Sequence, residues 1–417
     1  MEGRRISLGG SIVENTLVKA DTVDVYNDIT ISDNATLNIS PGTVFLFNGP
    51  FGINVEGTLI AEGTPGSRIY FTSLYPDPYD AYDSHINSWK GIVFDGTLST
   101  NDSSYVKYSV LEYARSISDS TGYMPDCMGG AIYISNFSKV KIENNIFRYN
   151  TALYGSSIAA VNNCQPQINN NLFYENFAKY NGPVAYLVNS YPYFYNNTAV
   201  NNVISDLNPD YQMGAIYCFR SKPYLVNNII RDNITGAFPQ VYFYKQYFMH
   251  FNNITGFHGF NGNFDADPLF DTSSDIPGVL IEGSPCIDSG SDIVLDQPEF
   301  DLAGNQRTVN GKIDIGAYEF QDGSSIFQVP SSPRLLKIYP NPANPSARIS
   351  FDCEIQGPAL ITIFNIKGEK VGAEKEIKTV SGENFLDLDM GSYVNGLYFI
   401  KISAVVDNYE GKLLLLK

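Results

Sequence analysis

Charge is scarce in this sequence: only 17% of its 417 residues are Asp, Glu, Lys or Arg. Helices usually carry Glu, Lys, Ala and Leu, so the shortage argues against a helical protein. Positive charge is scarcer still, and the formal net charge is −17. Nucleic acid is thereby excluded as a partner, because a binder needs Lys and Arg to neutralise phosphates. Anionic membrane surfaces and anionic polymers are disfavoured too, unless a cation intervenes. No apolar run of about 18 residues occurs, which excludes a transmembrane helix. The first residues, MEGRRISLGGSIVENT, have no apolar core of the kind a signal peptide needs. Cysteines number five, an odd count, with no CxxC pair and no Cys/His cluster, so they read as small packing residues. The three histidines, His85, His250 and His258, stand at no zinc-ligand spacing.

Abundant residues point to β structure: 43% are hydrophobic, with 29 Tyr, 26 Phe and 35 Gly. One stretch repeats. KVKIENNIFRYN (Lys139 to Asn150) returns as QPQINNNLFYEN (Gln165 to Asn176), YPYFYNNTAVNN (Tyr191 to Asn202), KPYLVNNIIRDN (Lys222 to Asn233) and FMHFNNIT (Phe248 to Thr255). Aligning the second asparagine of each pair gives Asn145, Asn171, Asn197, Asn228 and Asn253, spaced 26, 26, 31 and 25 residues apart. GGAIYISN (Gly129 to Asn136) recurs upstream as GSSIAAVN, GPVAYLVN and GAIYCFR. Each copy reads as two short strands plus turns, which cannot bury its own apolar side, whereas stacked copies can. The expected fold is all-β, a right-handed parallel β-helix with one coil per repeat and about a dozen coils. Ile142, Ile168, Phe194 and Leu225 align as an inward stack closed by His250, while Lys141, Gln167, Tyr193, Tyr224 and Met249 face out. The paired asparagines are expected at a corner. There Asn tolerates left-handed backbone geometry, and its amide can donate to one neighbouring coil and accept from the other.

The expected boundaries are a lead-in at 1–20, the β-helix at 21–320, a linker at 321–333 and a small Ig-like β-sandwich at 334–417. INVEGTLIAEGT (Ile53 to Thr64) with RIYFTS (Arg68 to Ser73) resembles the opening coils of secreted β-helix proteins. NFDADPLF (Asn263 to Phe270), GSPCIDSGS (Gly283 to Ser291), DLAGNQR (Asp301 to Arg307) and IDIGAYEF (Ile313 to Phe320) resemble the terminal module of choice-of-anchor β-helix proteins. That resemblance implies a β-helix ending and a surface location. Asp265, Asp267, Asp288, Asp301, Asp314 and Glu319 in these blocks are expected to cap turns and pair with Arg307, with calcium ligation as the alternative. YPNPANP, IxIFNIxG and GLYFIKI within Arg334 to Lys417 resemble the sorting domain of type IX secretion cargo in the Bacteroidota. The resemblance implies export, a partnership with the type IX secretion machinery, and a secreted or outer-surface location, with the expected leader peptide either trimmed from this chain or misassigned.

No catalytic motif is legible. A hydrolase would want a carboxylate pair on adjacent coils, and the aligned columns show none. Three features stand out as candidate sites. The insertion YPDPYDAYDSH carries Asp77, Asp80, Asp83 and His85 and is a candidate calcium or contact loop, calcium being the one cofactor considered. Tyr191, Tyr193, Tyr195, Tyr224, Tyr242 and Tyr244 form a candidate glycan-stacking face, with Tyr247 beside it. The insertion VISDLNPDYQMG explains the 31-residue spacing and places Asp206, Asp210 and Arg231 near a groove. The expectation is a non-catalytic, glycan-binding or adhesive surface protein. The alternative is a polysaccharide lyase or glycoside hydrolase, and a third reading is a purely structural fibre.

Overall fold

Alternation of apolar and polar residues over three to five positions, broken by Asn and Gly, gives strands too short to pair within one coil. They pair instead with the equivalent strand one coil away. The computed structural model describes residues 4–74, 88–118, 124–206, 213–236, 239–244, 248–257, 259–274, 276–293, 298–309, 311–321, 334–353, 357–365, 370–372, 375–380, 382–403 and 408–417. The chain divides into two compact units, Arg4–Phe327 and Gln328–Lys417.

The first unit is a parallel β-helix. One face is a nine-stranded sheet running from Thr16–Val18 through Val140–Glu143, Gln167–Asn169, Tyr193–Tyr195 and Tyr224–Val226 to Phe248–His250. Two further runs share a 17-stranded network, because the long strand Thr22–Ile31 pairs with both Val44–Phe47 and Ile53–Val55. The middle run includes Ile146–Arg148, Leu172–Tyr174 and Thr198–Val200. The third includes Ile132–Ser135, Ile158–Val161, Ala185–Val188, Ile216–Phe219 and Val241–Phe243. A four-stranded sheet, Arg115–Ser116 to Val203–Ile204, bridges the middle and third runs. A central coil therefore carries four short strands, not two. Winding also starts earlier than residue 21, since Arg5–Ile12 already pairs in parallel with Thr22–Ile31.

The interior is a set of axial stacks. Ile142, Ile168, Phe194, Leu225 and Met249 lie in one register, all buried. Phe147 and Phe173 stack at 4.9 Å, and Phe47 and Trp89 at 4.6 Å. Like side chains one coil apart keep van der Waals contact along the whole axis, which is how a slender solenoid acquires a core.

The corner between the nine-stranded sheet and the middle run carries the asparagine ladder. The side-chain nitrogen of Asn171 donates to the side-chain oxygen of Asn197 (3.0 Å) and to the Ile142 carbonyl (2.9 Å). Its own side-chain oxygen accepts from the backbone N–H (2.9 Å) and side-chain nitrogen (3.1 Å) of Asn145. The pattern continues through Asn228, Asn252 and Asn263. The residue before each rung takes the left-handed conformation: Asn144, Asn170, Asn196 and Asn227 have φ between 53° and 59°.

The last coil departs from the expected register by one residue. Asn252, not Asn253, holds the ladder position, and Phe251 takes the left-handed place with φ 54°. Met249 therefore points inward while Phe248 and His250 point out. Asn253 instead binds Ala266 and faces Cys286 and Arg231. A second ladder runs in parallel, Asn150–Asn176–Asn202–Asn233, ending on Gln240.

After the last coil the chain runs back along the outside. Ser291 exchanges two hydrogen bonds with Asn227 (2.8 and 2.9 Å). The Phe300 carbonyl accepts from Asn170 (3.0 Å) and Asn144 (3.3 Å). Farther back, Arg68 donates to the Leu302 carbonyl (2.5 Å). The segment thus covers the middle run, and Gly316 (φ 108°) shows how closely: a Cβ there would sit 2.7 Å from Ile229. The choice-of-anchor-like blocks do more than end the helix; they strap six coils together.

The second unit holds two sheets around its own core. The strands Lys337–Tyr339, Ser346–Cys353 and Gly382–Asp389 are antiparallel. A five-stranded sheet includes Gly357–Asn365, Gly396–Ser403 and Asn408–Leu415. Ile349, Ile361, Ile400, Ile402 and Leu413 fill the space of a small β-sandwich. Among the described residues, no cysteine forms a disulfide.

Each rung satisfies several buried polar groups, so truncating one leaves them all unmade. Asn197→Ala is expected to lower unfolding free energy by about 2–4 kcal/mol in urea denaturation. Asn38→Ala, at an exposed outward position, is expected to cost less than about 0.5 kcal/mol. Equal effects would contradict the ladder's role.

Candidate functional site

The middle run's outer face is taken by the returning strap, so a site must lie on the other two faces or at a coil edge. On the nine-stranded face one outward column reads Leu17, Asn38, Ile60, Tyr105, Lys141, Gln167, Tyr193, Tyr224, Phe248. Tyr193 and Tyr224 lie 5.2 Å apart, and Tyr224 and Phe248 5.1 Å. Tyr195 stands beside them but is only 4% exposed, whereas Tyr191, just before the strand, is 41% exposed.

Tyr242 and Tyr244 are not part of this group. They belong to the third run, one face away, where Tyr186, Tyr217 and Tyr242 stack at 5.0 and 5.4 Å with planes within 7°. Phe219 and Tyr244 pair at 4.9 Å. The six expected tyrosines are therefore two groups, and Tyr186 and Tyr217, which the repeat alignment did not single out, hold the second together. Sugar stacking needs a free aromatic face. Along the Tyr186–Tyr217–Tyr242 stack the faces are spent on one another, and mainly edges and hydroxyls remain.

Asp77, Asp80, Asp83 and His85 lie outside the described residues, as do Asp210, Tyr247 and His258. Arg231 is ion-paired with Asp265 at 2.5 Å and also reaches Asn253.

The carboxylates of the strap serve the backbone. Asp301 accepts from the N–H groups of Asn305 (2.7 Å) and Glu319 (2.8 Å), and Asp314 from those of Asp288 (2.7 Å) and Phe320 (2.6 Å). Glu319 accepts from the Asp314 N–H (3.0 Å). Arg307, fully buried, donates to the carbonyls of Asp314 (2.7 Å) and Gly316 (2.6 Å) and lies 3.9 Å from Glu319. Burial pushes the Glu319 carboxyl up to about 8, with Arg307 pulling in the opposite direction. Burial raises Asp301 and Asp314 as well. Among the described residues, no group of three His, Cys, Asp or Glu side chains is placed to hold a metal ion.

A cleft of about 610 Å³ opens on the outer side of the third run's first coils. Its floor is a register column, Thr30, Asn54 and Val93, one residue from each of three successive coils. Asp28 and Glu56 are exposed at its walls, and Asp95 and Asp126 are half-buried. Among the described residues, Lys90 and Arg115 add positive charge to the lining. Asp28 is oriented by the Gly52 N–H, which donates to it at 2.8 Å. None of these residues belongs to a repeated motif, and sequence reasoning missed them.

The fold defines a parallel β-helix protein, and the comparisons with known proteins bear on where it is sent. Residues 337–415 match the family described as Secretion system C-terminal sorting domain. The second unit is thus a type IX sorting domain, and it marks the chain for the outer surface or the extracellular space. Among the described residues, no helix is long and apolar enough to cross a membrane. The chain is similar to the enzymatically active domain of tailspike protein 4 of bacteriophage CBA120, at 12% identity and a TM-score of 0.22. That match covers 98% of this chain and 63% of the tailspike chain, so this chain spans less than two thirds of it. No curated protein matches the chain.

Two outcomes follow. A folded chain keeps the Glu319 proton that an unfolded chain surrenders above its ordinary value of 4.5. This group's stabilisation is therefore complete below pH 4.5 and is lost as pH rises toward about 8. Urea midpoints should fall over that range, and Glu319→Gln should make the fall shallower; an unchanged slope would contradict the assignment. Deleting 334–417 should leave the β-helix unit folded by circular dichroism yet absent from the cell surface in fractionation, since the two units have separate cores.

Proposed function

We propose that the protein is a non-catalytic, glycan-binding protein of the cell surface and that the cleft over Thr30, Asn54 and Val93 is its binding site. The observation that carries this reading is the cleft's lining. It combines hydroxyls, an amide, carboxylates and two cations with apolar surface that includes Val93, Pro50, Ile117 and Pro125. Such a lining offers acceptors and donors to the hydroxyl groups of a sugar and apolar surface to its C–H faces. Its volume lies within the range of small-ligand sites. Export to the outer surface brings such a cleft to extracellular polysaccharides. The exposed Tyr191 and the tilted Tyr193 and Tyr224 rings offer a second, flatter contact surface on the nine-stranded face.

One observation favours a second reading, a polysaccharide lyase or glycoside hydrolase: four carboxylates share the cleft with Lys90 and Arg115. Glycoside hydrolysis uses a pair of carboxyl groups, and lyase chemistry a base.

Both readings meet in one assay. The whole chain is titrated with a polysaccharide panel, and retention, reducing ends and unsaturated uronate products are followed. Retention without products is expected. Asn54→Ala is expected to weaken it about 5- to 10-fold, the loss of one or two hydrogen bonds. Product formation abolished by Glu56→Gln would overturn the non-catalytic reading, and retention indifferent to Asn54→Ala would remove the cleft as the site.

A further inference from the structure

We infer that the cleft selects glycans bearing protonated amino groups over neutral and uronate glycans; this rests on the reading of the cleft as a glycan site.

The charged lining is unbalanced. Among the described lining residues, Asp28, Glu56, Asp95 and Asp126 outnumber the cations Lys90 and Arg115. The rest of the molecule adds to the imbalance, since the chain carries a net −17. An ionised carboxylate only accepts hydrogen bonds, whereas an ammonium offers three donors and a positive charge. A sugar ammonium in this cleft would gain charge-assisted hydrogen bonds. A uronate would bring a further acceptor into a site already rich in them and would approach against the field of the whole chain.

The carboxylates are also distributed around the walls and come from separate elements. They come from the strand Thr22–Ile31, the turn after Ile53–Val55, the turn after Ile92–Phe94 and the short helical turn Met124–Asp126. Coils repeat about every 4.8 Å, so the three floor residues span roughly 10 Å. Among the described residues, no three acids lie close enough to hold a metal ion. Acceptors spread over several coils suit an extended ligand with a charge on each repeating sugar. A single ion would need them converged.

Three oligosaccharides of equal length separate the possibilities: a fully deacetylated chito-oligosaccharide, its N-acetylated form, and an oligogalacturonate, the last with and without calcium. Binding to the full chain is followed by calorimetry at low and high salt. The deacetylated oligomer should bind at least about tenfold more tightly than the acetylated one. That margin should shrink at high salt. It should also collapse in Glu56→Gln/Asp126→Asn, with circular dichroism and urea midpoint reporting that the variant is folded. Equal binding of the two chito-oligosaccharides, or tighter binding of oligogalacturonate, would overturn the preference while leaving the glycan site standing. A preference that survives in the double variant would mean general attraction to an acidic surface and would also overturn it. Binding of none of the three, with no retention on the wider panel, would overturn the underlying reading itself.

Discussion

A buried carboxamide that donates in one direction along the axis and accepts from the other holds this molecule in register. Asparagine suits the task because its oxygen and nitrogen are separate groups, with two acceptor sites and two donors. Each rung spends the donors on the next rung and on a backbone carbonyl one coil back. It spends the acceptor sites on the backbone and side chain of the preceding rung. A rung standing alone would bury unmet polar groups; in the stack each rung's donors and acceptor are met. The left-handed residue before each rung sets the turn, and asparagine is again the non-glycine residue that best tolerates it.

The rest of the architecture follows from that corner. Extra residues are admitted where they leave it undisturbed. The spacing lengthens from 26 to 31 residues between Asn197 and Asn228, yet their hydrogen bond remains 3.0 Å. The added length is taken up between Val203 and Gly214. The side chains of the turn residues, which point away from the ladder, are put to a second use: Asn144, Asn170 and Asn227 bind the strap. The strap lies on the middle run, apart from the nine-stranded face and the third run. The outward column of the first turns aromatic toward its later coils, while the early coils of the second form the charged cleft.

The periodic part of the molecule was legible in its residues, and the aperiodic part was not. Spacings of 26 between identical motifs dictate stacked coils, and the inward column from Ile142 to Leu225 could be written down from the alignment. The slip at the last coil arose because FMHFNN places asparagine at both 252 and 253, and pairing by residue type chose the wrong one. Phe251 does the work of the missing asparagine, and only the backbone reveals it. The second ladder had a visible signal, the third asparagine of NNIFRYN and its repeats at the same spacing. The strap has no period, so nothing in its blocks announces that it runs back to Arg68. The tyrosines were grouped by chain proximity, although Tyr224 and Tyr242 occupy different faces of the solenoid. The cleft was invisible for a similar reason: its charged residues come from separate turns and meet only after the chain is wound.

Amide hydrogen exchange at the rung positions tests the winding most directly. The backbone N–H groups of Asn145, Asn171, Asn197 and Asn228 each donate to the side-chain oxygen of the next rung. If the ladder holds the coils as one cooperative body, these four amides exchange together, at a slow common rate that tracks global unfolding in increasing denaturant. Fast exchange, or four unrelated rates insensitive to denaturant, would show that the coils are not held by their corners.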